Sequence, residues 1–150
     1  MAELSLPDDA AMHDLGARLA AQVRIGDVIA LYGPLGAGKT TLARGILAAL
    51  GLEGEAPSPS FALVQPYDVP DVQLPVAHVD LYRLEDASEA AELALDDYLA
   101  DSLLLIEWPE RLGDALWHHA LRLSIAFDAE GGRRLTAEVP DAWRERWSQI

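Results

Sequence analysis

Apolar positions along the chain alternate between two periods, and each change marks an element. Met12, Leu15, Leu19 and Val23 recur at helical spacing behind Asp8 and Asp9, either of which can cap a helix. Residues 4–6 are long enough for a short edge strand. Residues 27–32, Asp-Val-Ile-Ala-Leu-Tyr, form a β-rich apolar run between Gly26 and Gly33, the signature of a buried parallel strand. Over residues 40–50, Leu42, Ile46 and Ala49 or Leu50 share one helical face that stops at Gly51. Residues 52–60 read as loop, 61–64 as strand, 69–75 as turn, 76–84 as strand and 86–99 as helix. Residues 102–107 make the most apolar strand. Leu121, Leu123, Ile125 and Phe127 alternate with polar or small residues, as do Leu135, Ala137 and Val139, across a loop at 128–132. That pair predicts an antiparallel hairpin. Trp143 and Trp147 lie four apart on a short terminal helix, a spacing that suits core anchoring.

The pattern runs without repeat, linker or low-complexity tract, so 150 residues predict one domain, 1–150, of α/β class. A domain of this size buries roughly 70% of its unfolded surface, which supports a full core. The absence of cysteine excludes disulfides, thiolate metal sites and a Cys nucleophile. No apolar run reaches the ~20 residues that span a bilayer. The acidic amino terminus lacks the order of a signal peptide, so a cytoplasmic location is expected. The formal net charge of −14 disfavours direct nucleic-acid binding and suits a basic protein partner. Of the 11 cations ten are Arg; Lys39 is the only lysine.

Lys39 sits in Gly33-Pro34-Leu35-Gly36-Ala37-Gly38-Lys39-Thr40, which satisfies G-x-x-x-x-G-K-[ST] at every fixed position. Average residue usage yields such a match in about 0.5% of chains this long, and here a strand precedes it and a helix follows. Glycines allow the loop N–H groups to turn inward around a phosphate, and the helix start adds its positive dipole end. Lys39 would then meet the β- and γ-phosphates, and the Thr40 hydroxyl a Mg²⁺ ion. A plain glycine turn between strand and helix is the bland alternative, and it requires neither the lysine nor the hydroxyl after it. Hydrolysis needs acidic groups as well. Asp80 and Glu107 stand at or near the ends of apolar strands, where open α/β sheets place ligands. Either could hold Mg²⁺ or orient water; an ordinary exposed strand position is the competing reading of Asp80.

These residues resemble the bacterial TsaE family, also called YjeE. The resemblance covers about residues 7–112. It is carried by Gly33-Pro-Leu-Gly-Ala-Gly-Lys-Thr-Thr41, Ser58-Pro-Ser-Phe61, His78-Val-Asp-Leu-Tyr-Arg-Leu84 and Ile106-Glu-Trp-Pro-Glu110. Ser60 stands where the family usually carries Thr, and Ala94 where many members have Gly. The resemblance implies a P-loop NTPase-like sandwich with a mostly parallel central sheet, to which the chain adds its antiparallel carboxyl-terminal hairpin. It implies a Mg²⁺-dependent ATPase, slow alone, that supports a heterodimeric threonylcarbamoyl transferase. That machinery modifies the adenosine beside the anticodon of tRNAs reading ANN codons, with tRNA met only indirectly.

Carried across by similarity, Leu35, Gly36, Ala37, Gly38, Lys39, Thr40 and Thr41 cradle ATP. Glu107 and Asp80 share metal and base roles, Ser60 senses the γ-phosphate, and Trp108 packs at the nucleotide. Core packing beside the strand end is the other reading of Trp108. Arg83, Arg133 and Arg134 are candidate cis arginines, although pairing with surface carboxylates is the ordinary fate of such residues. A small nucleotide or metabolite kinase is the alternative function, separated by whether phosphate reaches water or an acceptor.

Overall fold

The computed structural model describes residues 2–54, 56, 63–85 and 87–150. Among the described residues seven strands form one sheet: β1 (Ala2–Leu6), β2 (Val28–Tyr32), β3 (Val64–Tyr67), β4 (Val76–Asp80), β5 (Leu103–Glu107), β6 (Leu121–Phe127) and β7 (Arg133–Glu138). Their spatial order is β1-β7-β6-β2-β5-β4-β3. The centre, β6-β2-β5-β4, is parallel, and the outer pairings are antiparallel. The β6–β7 hairpin and the edge position of β1 follow the alternation seen in the sequence.

Two longer helices cover one face. Helix α1 (Asp9–Ala20) starts at Asp8, whose carboxylate accepts the Ala11 N–H at 2.8 Å. Helix α2 (Lys39–Ala49) leaves the glycine loop directly after β2. The two pack backbone to backbone: a Cβ at Gly16 would lie 2.8 Å from the Gly45 carbonyl carbon. Leu15, Leu19, Leu42 and Ile46 meet Ile29, Leu31, Leu105 and Leu123 beneath them. Val28, Ala30, Val79, Leu104 and Ile106 point to the other face, under Leu84, Leu95, Leu112 and Leu116. Every residue of β4 and β5 is therefore buried, as expected of strands covered on both sides.

Four sequence expectations change. Of the strand expected over 61–64, Phe61 and Ala62 lie outside the described residues, and the strand described there runs Val64–Tyr67. Pro66 is tolerated there because, among the described residues, β3 pairs only with β4 and stands at the edge of the sheet. The strand expected over 76–84 stops at Asp80, where the carboxylate accepts the Tyr82 N–H at 3.0 Å and turns the chain. The helix expected over 86–99 is two short pieces, α3 (Ala87–Ala90) and α4 (Leu95–Tyr98), joined by a 3₁₀ turn. Ala94 breaks it, with φ 51° and ψ 46° in the left-handed region. At the carboxyl end, a 3₁₀ turn (Asp141–Trp143) leads into α5 (Arg144–Trp147). Trp143 is fully buried and Trp147 packs against the same core.

The termini of β2 are held differently. At its foot, Arg146 binds Asp27 through both carboxylate oxygens, at 2.6 and 3.1 Å, and also donates to the Gln22 and Ala142 carbonyls. Its guanidinium stacks on Trp143, 4.0 Å from the ring centroid. No helix among the described residues is long and apolar enough to cross a membrane.

Candidate functional site

The site lies at the head of β2, where the chain must turn from a central strand into α2. Gly33 begins that turn at φ 149°, and a Cβ on it would come within 2.6 Å of the Ile125 carbonyl oxygen. Only glycine fits between β2 and β6 there. Gly36 and Gly38 also have positive φ, so the loop curls over the amino end of α2. Leu35, at the loop tip, is 64% exposed. Arg133, from β7, braces the outside of the loop: its Nε donates to the Ala37 carbonyl at 3.0 Å and Nη2 to Gly36 at 3.3 Å. Phe127 lies flat against the same guanidinium, 4.4 Å from it.

The parallel register brings the acidic residues to the same place. Asp80 and Glu107 are direct partners at the carboxyl ends of β4 and β5. Both are buried, which removes the exposed-strand reading of Asp80. On β2, Leu31 is the register partner of Glu107, one residue before the chain leaves the strand at Tyr32. Thr40 Oγ1 donates to Glu107 Oε1 at 2.8 Å, linking the first turn of α2 to β5 across the sheet. On the other oxygen, His78 Nε2 donates to Oε2 at 2.6 Å.

Lys39 is buried, and its ammonium donates to the Gly33 carbonyl and, at 3.2 Å, to Pro34. It also rests 3.8 Å from the centroid of Trp108. Burial pulls the Lys39 pKa below its ordinary 10.5, and the carboxylates of Glu107, Glu110 and Asp80 oppose that shift. Trp108 leaves the end of β5 at φ 60°, a turn that throws its ring into the cleft. There it also meets Tyr82, at 5.0 Å between ring centroids. The second reading of Trp108, core packing, describes only part of its surroundings, since the ring both lines the cleft and touches the core.

Leu35, Gly36, Ala37, Gly38, Lys39, Thr40, Thr41, Asp80, Glu107 and Trp108 thus line one cleft of about 380 Å³, together with Tyr82 and Arg83. Ser60 lies outside the described residues, as do Ser58 and Pro59. Of the other arginines, Arg134 pairs with Glu3 at 2.8 Å, the surface pairing expected of it, whereas Arg133 spends its donors on the loop. His78 belongs to the His78–Leu84 motif, which by itself assigns it no role. A signal was present: His78 and Asp80 are two apart on one strand and so share a face.

A divalent cation fits these donors. No group of three or more His, Asp or Glu side chains gathers among the described residues to cage a metal. Mg²⁺ does not require one, since it commonly takes one or two protein oxygens and completes its shell with phosphates and water. The Thr40–Glu107 oxygen pair, with Asp80 beside it, supplies that kind of partial shell.

Fold and site together define a mixed α/β protein whose glycine loop and two buried carboxylates frame a cleft at the carboxyl edge of a central parallel sheet. The family model described as threonylcarbamoyl adenosine biosynthesis protein TsaE matches residues 6–135. The chain belongs to the TsaE family. It is 43% identical over 115 residues to the tRNA threonylcarbamoyladenosine biosynthesis protein TsaE of Streptomyces coelicolor, spanning 76% of this chain and 78% of that one. The TsaE protein of Bacillus subtilis is 37% identical over 118 residues, 78% of this chain and 72% of its own. The crystal structure of YdiB from Bacillus subtilis superposes with a TM-score of 0.82 at 26% identity, over 99% of this chain and 92% of that one.

Proposed function

We propose that this chain is a Mg²⁺-dependent ATPase that serves threonylcarbamoyl transfer to tRNA. The observation that carries the reading is the convergence of the Lys39 ammonium, the Thr40 hydroxyl, and the Asp80 and Glu107 carboxylates on one cleft at the start of α2. Loop N–H groups and the α2 amino terminus hold the phosphates of ATP. Lys39 leaves its loop carbonyls to balance charge on the β- and γ-phosphates. Thr40 and Glu107, with Asp80, hold the cation. When bound, Mg²⁺ neutralises charge building between those phosphates. Asp80 and Glu107 also divide the task of orienting the attacking water. Trp108 and Tyr82 wall the cleft on the β4–β5 side and limit bulk water.

The pathway is supported by the names of the relatives. On this reading the partner is the heterodimeric threonylcarbamoyl transferase acting on the adenosine beside the anticodon of tRNAs that read ANN codons. Contact with tRNA is indirect, because a chain with a net charge of −14 repels a polyanion. Leu35 and Tyr82 add apolar surface at the mouth of the cleft for a protein to cover. The lone chain turns over slowly in the cytoplasm and the partner accelerates it. A pull-down from native lysate with ATP, ADP or no nucleotide tests this. Recovery of the transferase proteins with ATP, weakening as salt rises, is expected. Their absence in all three conditions, with phosphate passed to a small acceptor, would make the protein a kinase.

A further inference from the structure

His78 is an imidazole built into the middle of a strand, with no exposed surface and beneath a cleft it does not line. On the same face of the sheet Val76, Leu103 and Leu105 surround it with apolar side chains, and Asp80 and Glu107 continue that face toward the cleft. Only one of its ring nitrogens is used. Nε2 lies 2.6 Å from Glu107 Oε2, while Nδ1 is buried with no hydrogen-bond partner among the described residues. Nε2 therefore carries a ring hydrogen, because a carboxylate accepts, and among the described residues no acceptor reaches Nδ1. A polar group left half-satisfied in an apolar core is costly. An aliphatic side chain would avoid that cost and would lose only the bond to Glu107.

That bond decides how Glu107 presents itself. A glutamate side chain ends in a soft torsion, and its two oxygens can exchange places or engage a cation together. Here Oε2 is taken by His78 and Oε1 by the Thr40 hydroxyl at 2.8 Å. The two donors come from opposite elements, β4 and α2, and pin the carboxylate plane between them. We propose that His78 is a positioning residue: its Nε2–H holds Oε2 of Glu107 so that Oε1 alone faces Thr40 and the cleft, as a single-oxygen ligand for the cation or its water. The inference rests on the reading of the cleft as a Mg²⁺–ATP site. Partners that orient a ligating side chain commonly govern metal affinity as strongly as some ligands do.

The test compares His78→Leu, which removes the donor at similar bulk, with His78→Gln, whose amide returns an N–H at similar reach, and with Glu107→Gln. Long-range ¹H–¹⁵N spectra of the histidine rings, taken without nucleotide, are expected to show His78 as the Nε2–H tautomer with a slowly exchanging proton. Mn²⁺ titration of the ADP complex, followed by electron paramagnetic resonance, reads the cation site without turnover. His78→Leu is expected to weaken Mn²⁺ about 10–100-fold and lower kcat in step, with metal-free ADP affinity unchanged. His78→Gln is expected to recover most of both. A folded His78→Leu protein with wild-type Mn²⁺ affinity and kcat, or an Nδ1–H tautomer, overturns the proposal. If His78→Leu fails to fold, His78→Asn takes its place, since its shorter amide does not reach Oε2. Equal Mn²⁺ affinity in the Asn and Gln variants is then the contradicting result. Normal hydrolysis by Glu107→Gln would sink the reading of the cleft as a Mg²⁺–ATP site that works through Glu107, whereas an inactive Glu107→Gln beside an unaffected His78→Leu sinks the role of His78 alone.

Discussion

The two ends of β2 both bury charge, and they do so for different ends. At the foot, Asp27 and Arg146 close on each other through two bonds, and both terminal nitrogens of Arg146 also donate to backbone carbonyls. Trp143 stacks over the guanidinium and excludes water. At the head, Lys39 has no direct carboxylate partner among the described residues. It hangs on two loop carbonyls and an aromatic face, while Glu107 takes its donors from Thr40 and His78. A matched ion pair fastens a terminal segment to the core. Opposite charges that do not close on each other retain their field, and that field is what a polyphosphate with its cation can use. One strand thus carries a closed pair below and an open arrangement above.

Breaking the closed pair should have the largest effect on stability. Arg146→Ala leaves the buried Asp27 carboxylate without its counter-charge, with only the Arg24 N–H still donating to it at 2.7 Å, so urea unfolding is expected to show a loss of about 3–5 kcal/mol. A loss below about 1 kcal/mol would make the pair no stronger than a surface one. Arg146→Met, which keeps the stem against Trp143, is expected to remain low as well, and only the double variant with Asp27→Leu should recover.

The head should respond in function instead. Lys39→Ala is expected to abolish ATP turnover without lowering the melting temperature, because the fold pays to bury that ammonium. The sign of the pH dependence follows. The folded pKa of Lys39 lies below 10.5, so the charged form is the one burial penalises. That penalty is present at neutral pH and fades as pH rises through the window between the folded pKa and 10.5. The stability advantage of Lys39→Ala over wild type should therefore shrink there. Over the same window kcat/KM for ATP should fall, since phosphate needs the charged lysine. A flat profile up to pH 10.5 would remove Lys39 from phosphate binding.

The smallest effect tests a backbone point remote from both ends. Ala94 holds a left-handed conformation between α3 and α4, so Ala94→Gly should stabilise the domain by about 1 kcal/mol, readable as a higher melting temperature. No change would mean that glycine's greater unfolded entropy cancels the relief of strain.

What the sequence disclosed follows the same division. The head was legible because its chemistry is local: glycines, lysine and hydroxyl occupy eight consecutive positions between a strand and a helix. The carboxylates Asp80 and Glu107 were legible as strand ends, though only the β4–β5 register makes them neighbours. The foot was not legible. Asp27 and Arg146 are separated by 119 positions, and nothing in either local stretch singles out this pairing from the other arginines and acids of an acidic chain. Pro66 concealed β3, because free-edge strands tolerate a residue that central strands reject. The helical composition of residues 86–99 concealed the break at Ala94, an alanine in a conformation that residue rarely adopts. His78 was hidden by its setting, since a histidine in an apolar strand reads as core until its Glu107 contact is seen.

The most direct measurement of the central claim is phosphate release from ATP by the wild-type chain and by Glu107→Gln, with and without Mg²⁺, in the presence of the transferase partner. Wild type should release phosphate only with Mg²⁺, and Glu107→Gln should fall by at least ~10²-fold while binding ATP within an order of magnitude and melting at the same temperature. Equal release by the two proteins, or release by wild type that ignores Mg²⁺, would contradict the account.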